Sequence, residues 1–299
     1  MSRVLATEAL GKRFRRGWAL RDCTLTIPEQ AIVGLAGPNG AGKSTLLELA
    51  VGMIAATEGA VSVLGRDPRR DSAALADVGY VPQGAPLYRS FTVGEMLDFA
   101  RVTNERWDAD LARELLTSMD SGARVAGLSA GQRSRLALAL ALGKRPALLL
   151  LDEPFARLDP LAGREFLRLL MDGVSETTST VVIASHVVAD IERVCDHIVL
   201  LSEGHVRLEG NVEELLGSHL LLTGARRPLG TIRGVEEIVR ERHSGRQSTL
   251  LVRTRGPVVE PTWSVDGIAL EELLLAYMGP AKLPHPQPPP EAGRLRWHG

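Results

Sequence analysis

The sequence predicts an α/β fold: a mostly parallel sheet covered by helices on both faces, preceded by an antiparallel β-subdomain, interrupted by helices and followed by a small α+β extension. Three observations predict it. Apolar runs at Ala31–Ala36, Ala147–Leu151 and Thr180–Ala184 read as strands buried on both faces, and helical stretches alternate with them. From about 84 to 145 the pattern is helical instead, an insertion in that alternation. Between the first apolar run and the helix Thr45–Ala50 lies a glycine-rich stretch, Gly37-Pro38-Asn39-Gly40-Ala41-Gly42-Lys43-Ser44-Thr45.

In chain order, residues 1 to about 30 alternate as short antiparallel strands, with Leu20–Ile27 the clearest. After the glycine-rich loop and its helix, Ala60–Leu64 and Val78–Val81 read as strands. Thr92 followed three residues later by Glu95 is a capping box that opens a helix. Asp108–Met119 and Gln132–Leu142 read as two more helices. The strand Ala147–Leu151 then leads to a helix at Pro160–Gly173, a strand at Thr180–Ala184 and a helix at Val187–Cys195. Strands at Asp196–Leu201 and His205–Glu209 complete this part. The texture changes near Ser218, where strands Leu220–Thr223 and Leu250–Arg253 and an apolar helix Leu270–Met278 form the extension. The expected organisation is therefore a domain over 1–217 with its helical subdomain at about 84–145, an accessory domain over 218–279, and a proline-rich, disordered tail over 280–299.

Composition narrows the classes. A formal net charge of −1 provides no global field to recruit nucleic acid or an anionic membrane. Only four of the 35 basic residues are lysines, and Arg226-Arg227 and Arg240-Glu241-Arg242-His243 read as solvated charge. Two cysteines give neither a metal spacing nor a disulfide framework, which suits a reducing compartment. Met1-Ser2-Arg3 leads into a polar segment, so no signal peptide is expected. The most apolar stretch, Leu136–Leu151, is cut by Gly143-Lys144-Arg145-Pro146, so no membrane span is expected.

The glycine-rich stretch fits G-x-x-x-x-G-K-[ST] in the strand–loop–helix setting that the motif requires, which marks the core of a P-loop NTPase. Its glycines let backbone N–H groups turn inward, and the following helix end adds about half a positive charge. Lys43 would reach the β- and γ-phosphates of ATP, and Ser44 would hold Mg²⁺. Leu148-Leu149-Leu150-Leu151-Asp152-Glu153 is a buried strand ending in two acids at the edge where ligands gather in open α/β sheets. There Asp152 would hold Mg²⁺ and Glu153 would polarise the attacking water.

With these motifs in order, residues 1 to about 217 resemble the nucleotide-binding subunit of ATP-binding cassette (ABC) transporters. Leu128-Ser129-Ala130-Gly131-Gln132 resembles that family's signature, usually Leu-Ser-Gly-Gly-Gln, and directly precedes a helix, where N–H groups and the Ser129 hydroxyl would form a second anion site acting on a partner copy's ATP. At Ala130, alanine replaces the usual glycine and would cost on the order of 1 kcal/mol if φ were positive. The resemblance implies that Gln83 touches Mg²⁺ and water, that Asp159 contacts the other subunit, and that His186 meets the γ-phosphate. It also implies an adenine-stacking aromatic, for which Phe14 is favoured over Trp18.

The resemblance further implies an ATP-hydrolysing subunit that works as a dimer, most simply a homodimer, with a separate integral-membrane permease, on the cytoplasmic face of the membrane. Export of a drug, peptide, lipid or antibiotic is the expected direction, because one short cassette with a small extension carrying Leu270-Glu271-Glu272-Leu273 resembles bacterial exporter ATPases. An importer ATPase, or a switch acting on ribosomes or DNA, is the alternative. Phe91–Phe99 is expected to floor the groove that receives the permease.

Overall fold

The computed structural model describes residues 3–226, 232–258 and 262–279. The tail at 280–299 and Arg227 lie outside the described residues.

Long strands β1 (Arg3–Phe14) and β2 (Gly17–Pro28) pair antiparallel, and β1 also pairs antiparallel with β4 (Glu58–Val63). This small sheet carries the aromatic candidates at one hairpin. Strand β3 (Ile32–Ala36) runs into the glycine-rich loop and helix α1 (Lys43–Ala50). A short helix α2 (Ser72–Ala76), not foreseen, is capped by Asp71 and leads to β5 (Val78–Val81). The helical subdomain follows: α3 (Val93–Thr103), α4 (Ala109–Glu114) and α5 (Ala130–Leu142). Alternation resumes with β6 (Leu148–Asp152), α6 (Pro160–Thr177), β7 (Thr180–Ser185), α7 (Val188–Glu192), β8 (His197–Ser202) and β9 (His205–Asn211).

The main sheet has the order β5-β6-β7-β3-β8-β9, parallel except for the antiparallel β9. Leu148 to Leu151 are all fully buried, as a strand covered on both faces requires. Period-two alternation sorts them: Leu148 and Leu150 join the core beneath α1, whereas Leu149 and Leu151 join the core beneath the remaining helices. Because the five parallel strands end at one edge, the residues after β3, β6 and β7 converge there. That convergence creates the site.

Three helices differ from their expected lengths. The helix starting at Asp108 stops at Glu114, because the Leu115 carbonyl accepts from Arg135 Nε at 2.6 Å and the chain continues in i→i−3 turns. Helix α6 passes through Gly173 instead of ending there; that glycine is a packing device, since a Cβ on it would lie 2.4 Å from Leu142 Cδ1. Helix α7 covers only Val188–Glu192, with turns continuing to Cys195. The Thr92–Glu95 capping box forms as expected, with both reciprocal bonds present.

Beyond the main sheet, α8 (Val212–Gly217) leads to β10 (His219–Ala225), β11 (Val235–Ser244), β12 (Gln247–Thr254), β13 (Ser264–Asp266) and α9 (Leu270–Met278). These strands form an antiparallel sheet of order β11-β12-β10-β13. The run Arg240-Glu241-Arg242-His243 lies in the C-terminal half of edge strand β11, where Arg240, Arg242 and His243 are exposed, as solvated charge requires. Helix α9 buries Leu270, Leu273 and Leu274 against α7, β8 and β9, in the same core as the cassette helices.

One polar pair joins β10 to α9. His219 Nδ1 lies 2.7 Å from the Leu215 carbonyl, so it carries the proton, and Nε2 accepts from the Tyr277 hydroxyl at 2.8 Å. Burial first, then the positive charge of Arg253, outweigh the Leu215 bond and the Glu237 carboxylate, and hold the His219 pKa below its usual value. A histidine pKa depressed in the fold favours the neutral ring, so this contribution is fully present above about pH 6.5 and is lost as pH falls below it. An NMR titration of the His219 ring is expected to give a midpoint below 6.5. Tyr277→Phe is expected to cost about 1 kcal/mol at pH 8 by orphaning Nε2.

Candidate active site

The loop after β3 owes its shape to steric demands that only glycine meets. At Gly37, with φ of 155°, a Cβ would stand 2.2 Å from the Leu201 carbonyl oxygen; at Gly42, with φ of 108°, it would stand 2.5 Å from Leu20 Cδ2. Gly42 caps α1 with no side-chain acceptor, which leaves the first N–H groups of that helix for an external anion. Pro38, Asn39 and Gly40 are exposed, Ala41 is buried, and Ser44 and Thr45 are half-buried in the first turn.

Lys43 is 5% exposed, and its ammonium donates to the Gly37 carbonyl at 2.8 Å and the Pro38 carbonyl at 3.3 Å. It also pairs with Glu153 Oε1 at 3.2 Å. The other Glu153 oxygen, Oε2, accepts from His186 Nδ1 at 2.8 Å. Residues from the ends of three different segments therefore meet on one carboxylate, which is only 8% exposed. Glu153 itself has φ of 49°, a left-handed conformation that costs on the order of 1 kcal/mol in a non-glycine residue. Its N–H is held by the Ala184 carbonyl at 2.9 Å, which fixes the turn out of β6. Nothing in the sequence signals that conformation.

Asp152 is buried at the end of β6. Burial raises its pKa, only partly opposed by a hydrogen bond from Ser44. Its Oδ1 has no partner among the described residues. A buried, unpartnered carboxylate oxygen beside a hydroxyl is the hard oxygen donor set that suits Mg²⁺ with water completing the shell. Asp152→Asn is expected to leave the nucleotide-free melting temperature unchanged or raised, since it removes a charge that burial penalises. The same variant is expected to lose most of the Mg²⁺-dependent part of the ATP-induced increase, which a thermal-shift titration measures; saturation at one hundred times Kd is worth about 2.7 kcal/mol in the parent.

Gln83 is exposed and lines the same narrow cleft as Asp152 and Glu153. Arg157 also lines that cleft, against Gly84, and sequence reasoning passed over it because an arginine in a loop carries no motif. Asp159 caps α6 by accepting from the Leu161 and Ala162 N–H groups at 3.0 Å each. Of the two aromatics, Phe14 is 47% exposed with Lys12 Nζ 5.0 Å from its ring centroid, whereas Trp18 is half-buried across Gly11.

The signature segment is capped locally. Ser129 Oγ accepts from the Gln132 N–H at 3.2 Å, and Gln132 Oε1 accepts from the Ser129 N–H at 2.9 Å, a second capping box. The hydroxyl oxygen accepts within its own helix, which leaves its proton, with the N–H groups of Ala130 and Gly131, for an anion. Ala130 is not among the positive-φ residues, so the anticipated strain is absent. Leu128 is buried beneath this turn.

A groove of about 400 Å³ lies between the Gln83 loop and α5, walled by Tyr80, Pro82, Leu87 and Leu140, and Phe91–Phe99 does not line it. The reason is that α3 turns Val93, Met96 and Ala100 into the core. Phe99 is thereby left outside, clustered with Tyr88 and Phe91 at centroid distances of 5.3 to 6.1 Å.

A glycine-shaped loop on a parallel strand, its lysine paired to the acid that follows a buried strand, defines a P-loop NTPase of α/β architecture. Residues 20–156 match the family described as ABC transporter. ABC transporter ATP-binding protein YxlF of Bacillus subtilis, itself uncharacterized, is 33% identical over 219 residues, covering 71% of this chain and 72% of that protein. The sulfate/thiosulfate import ATP-binding protein CysA of Bacillus cereus is 36% identical over 70% of this chain and 61% of its own length. The lipopolysaccharide export system ATP-binding protein LptB of Acidithiobacillus ferridurans is 31% identical over 72% of this chain and 93% of its own length. Among solved structures, the dimeric, post-hydrolysis ATP-binding cassette MJ0796 bound to ADP and Pi superposes with a TM-score of 0.62 at 25% identity, over 70% of this chain and 98% of that chain.

The chain belongs to the ABC transporter family as an ATP-binding subunit, and that membership implies ATP hydrolysis. The relatives include proteins named for import and for export, so similarity does not select the exporter subtype expected from the sequence. Among the described residues no helix is long and apolar enough to cross a membrane.

Proposed function

We propose that this protein binds and hydrolyses ATP as one of two cassettes that drive export through a separate integral-membrane permease, seated on the cytoplasmic face of the membrane. The observation that carries the reading is the convergence of Lys43, Glu153 and His186 on one carboxylate beside the unpartnered Asp152 oxygen. Magnesium supplies charge neutralisation for the triphosphate when bound, held by Ser44, Asp152 and, from its loop, Gln83. Lys43 leaves Glu153 for the phosphates, and Glu153 then orients and deprotonates the attacking water. His186 holds Glu153 through Nδ1–H, which turns Nε2 toward solvent and the γ-phosphate. Phe14, with its exposed ring, stacks on adenine.

The exposed N-terminus of α5, with Ser129, Ala130 and Gly131, closes over the ATP of a second copy, and Asp159 lies at the same interface. The apolar groove beside Tyr80 and Leu87 receives a short helix of the permease, flanked by the aromatic cluster of Tyr88, Phe91 and Phe99. The cargo class is a drug, peptide, lipid or antibiotic. Co-purification from solubilised membranes, followed by transport assays in inverted vesicles, tests all of this. Accumulation of cargo with ATP outside the vesicle supports export; ATP-dependent release of preloaded cargo establishes import; no membrane partner overturns the transport reading.

A further inference from the structure

Where α9 lies against the accessory sheet, a cavity of about 160 Å³ opens between the helix and strands β10, β11 and β12. Its lining is apolar within and charged at the mouth. Leu251 and Ile268 are buried there, whereas Leu275 stands half-exposed at the opening. Arg240 and Arg242, two positions apart on β11, border it and pair across the sheet with Leu251 and Thr249.

Neighbouring acids are already engaged. Glu236 pairs with Arg253 and Arg255, Glu237 with Arg253, and Glu241 with His243. The guanidinium groups of Arg240 and Arg242 make no ion pair or hydrogen bond among the described residues, and the acid facing them at the cavity is Glu272 of α9. Two guanidinium groups against one carboxylate leave one net positive charge over an apolar chamber. An apolar cavity of about 150 Å³ accommodates benzene. We infer that this cavity binds a small monocarboxylate with an apolar body of one ring or a short chain, which acts as an effector of the cassette.

The charge selects the headgroup. Guanidinium forks match carboxylate geometry, and a single negative charge balances the site. A doubly charged phosphate monoester would face Glu272, and an inorganic anion would leave the apolar floor unfilled. The effector role follows from packing: α9 bears on α7, which begins two residues after His186. This second part rests on the ATPase reading, whereas binding does not.

The test uses the full chain with sodium benzoate as the probe, and benzyl alcohol as its uncharged counterpart, in isothermal titration. Benzoate is expected to bind at least tenfold more tightly than benzyl alcohol. Arg240→Gln/Arg242→Gln, on exposed positions, is expected to lose at least tenfold in benzoate affinity with an unchanged melting temperature, and Glu272→Gln to gain a few-fold. Benzoate is expected to change ATP turnover at saturating ATP at least twofold in the parent and not in the double variant. Equal affinity for benzyl alcohol, or benzoate affinity retained in the double variant, would overturn the site. Binding without any change in turnover of an active enzyme would overturn the effector role alone, and an inactive parent would count against the ATPase reading while the titration still decides the site.

Discussion

Glu153→Gln is expected to bind Mg²⁺-ATP within a few-fold of the parent and to hydrolyse it about 10²–10⁴-fold more slowly, the contribution of a positioned base. The site is built so that one carboxylate takes both Lys43 and His186, at 3.2 Å and 2.8 Å, and the amide keeps the shape while losing the basicity. Because the left-handed backbone at residue 153 is set by the bond to Ala184, the substitution leaves the turn in place. Single-turnover hydrolysis alongside equilibrium binding of a fluorescent ATP analogue separates the two effects. Undiminished turnover would remove Glu153 from the role of base.

Lys43→Met has two separable consequences. It withdraws a charge-assisted donor from the triphosphate, worth about 1.5–3 kcal/mol, or on the order of 10- to 100-fold in affinity. It also strands Glu153 in a nearly water-free position with His186 as its remaining partner. Removing one member of a buried pair costs about 3–5 kcal/mol, and the surviving histidine bond places the expected loss near the lower end. Urea unfolding without nucleotide is therefore expected to show a destabilised Lys43→Met. Lys43→Met/Glu153→Gln is expected to recover most of that stability while ATP binding stays weak, because the stranded charge is gone but the phosphate ligand is not restored. A double variant as unstable as the single one would show that the pair does not set the stability of the nucleotide-free state.

The loop and its strand were legible because the motif is contiguous and each residue type serves a local need. The Thr92 cap was legible for the same reason, since a capping box closes within four residues. Errors arose where a distant group decided a local outcome. Arg135, on another helix, takes the Leu115 carbonyl and ends α4 early. Leu142 occupies the space at Gly173, so a residue that reads as a helix stop is a helix–helix contact. Strand β11 escaped because its acids Glu236 and Glu237 pair with Arg253 of β12, which no spacing within one segment reveals.

The α/β class, the phosphate loop, the acids at the end of β6 and the family follow from the residues in order, since periodicity and contiguous motifs are local properties of the chain. That Lys43 and His186 meet on the Glu153 carboxylate, that Ser129 Oγ accepts within its own helix, and that α9 joins the accessory sheet to the cassette core emerged from the folded arrangement. Those outcomes depend on which strand ends lie side by side and which apolar faces find each other. Long-range burial sets both, and it leaves no mark in any short window of residues.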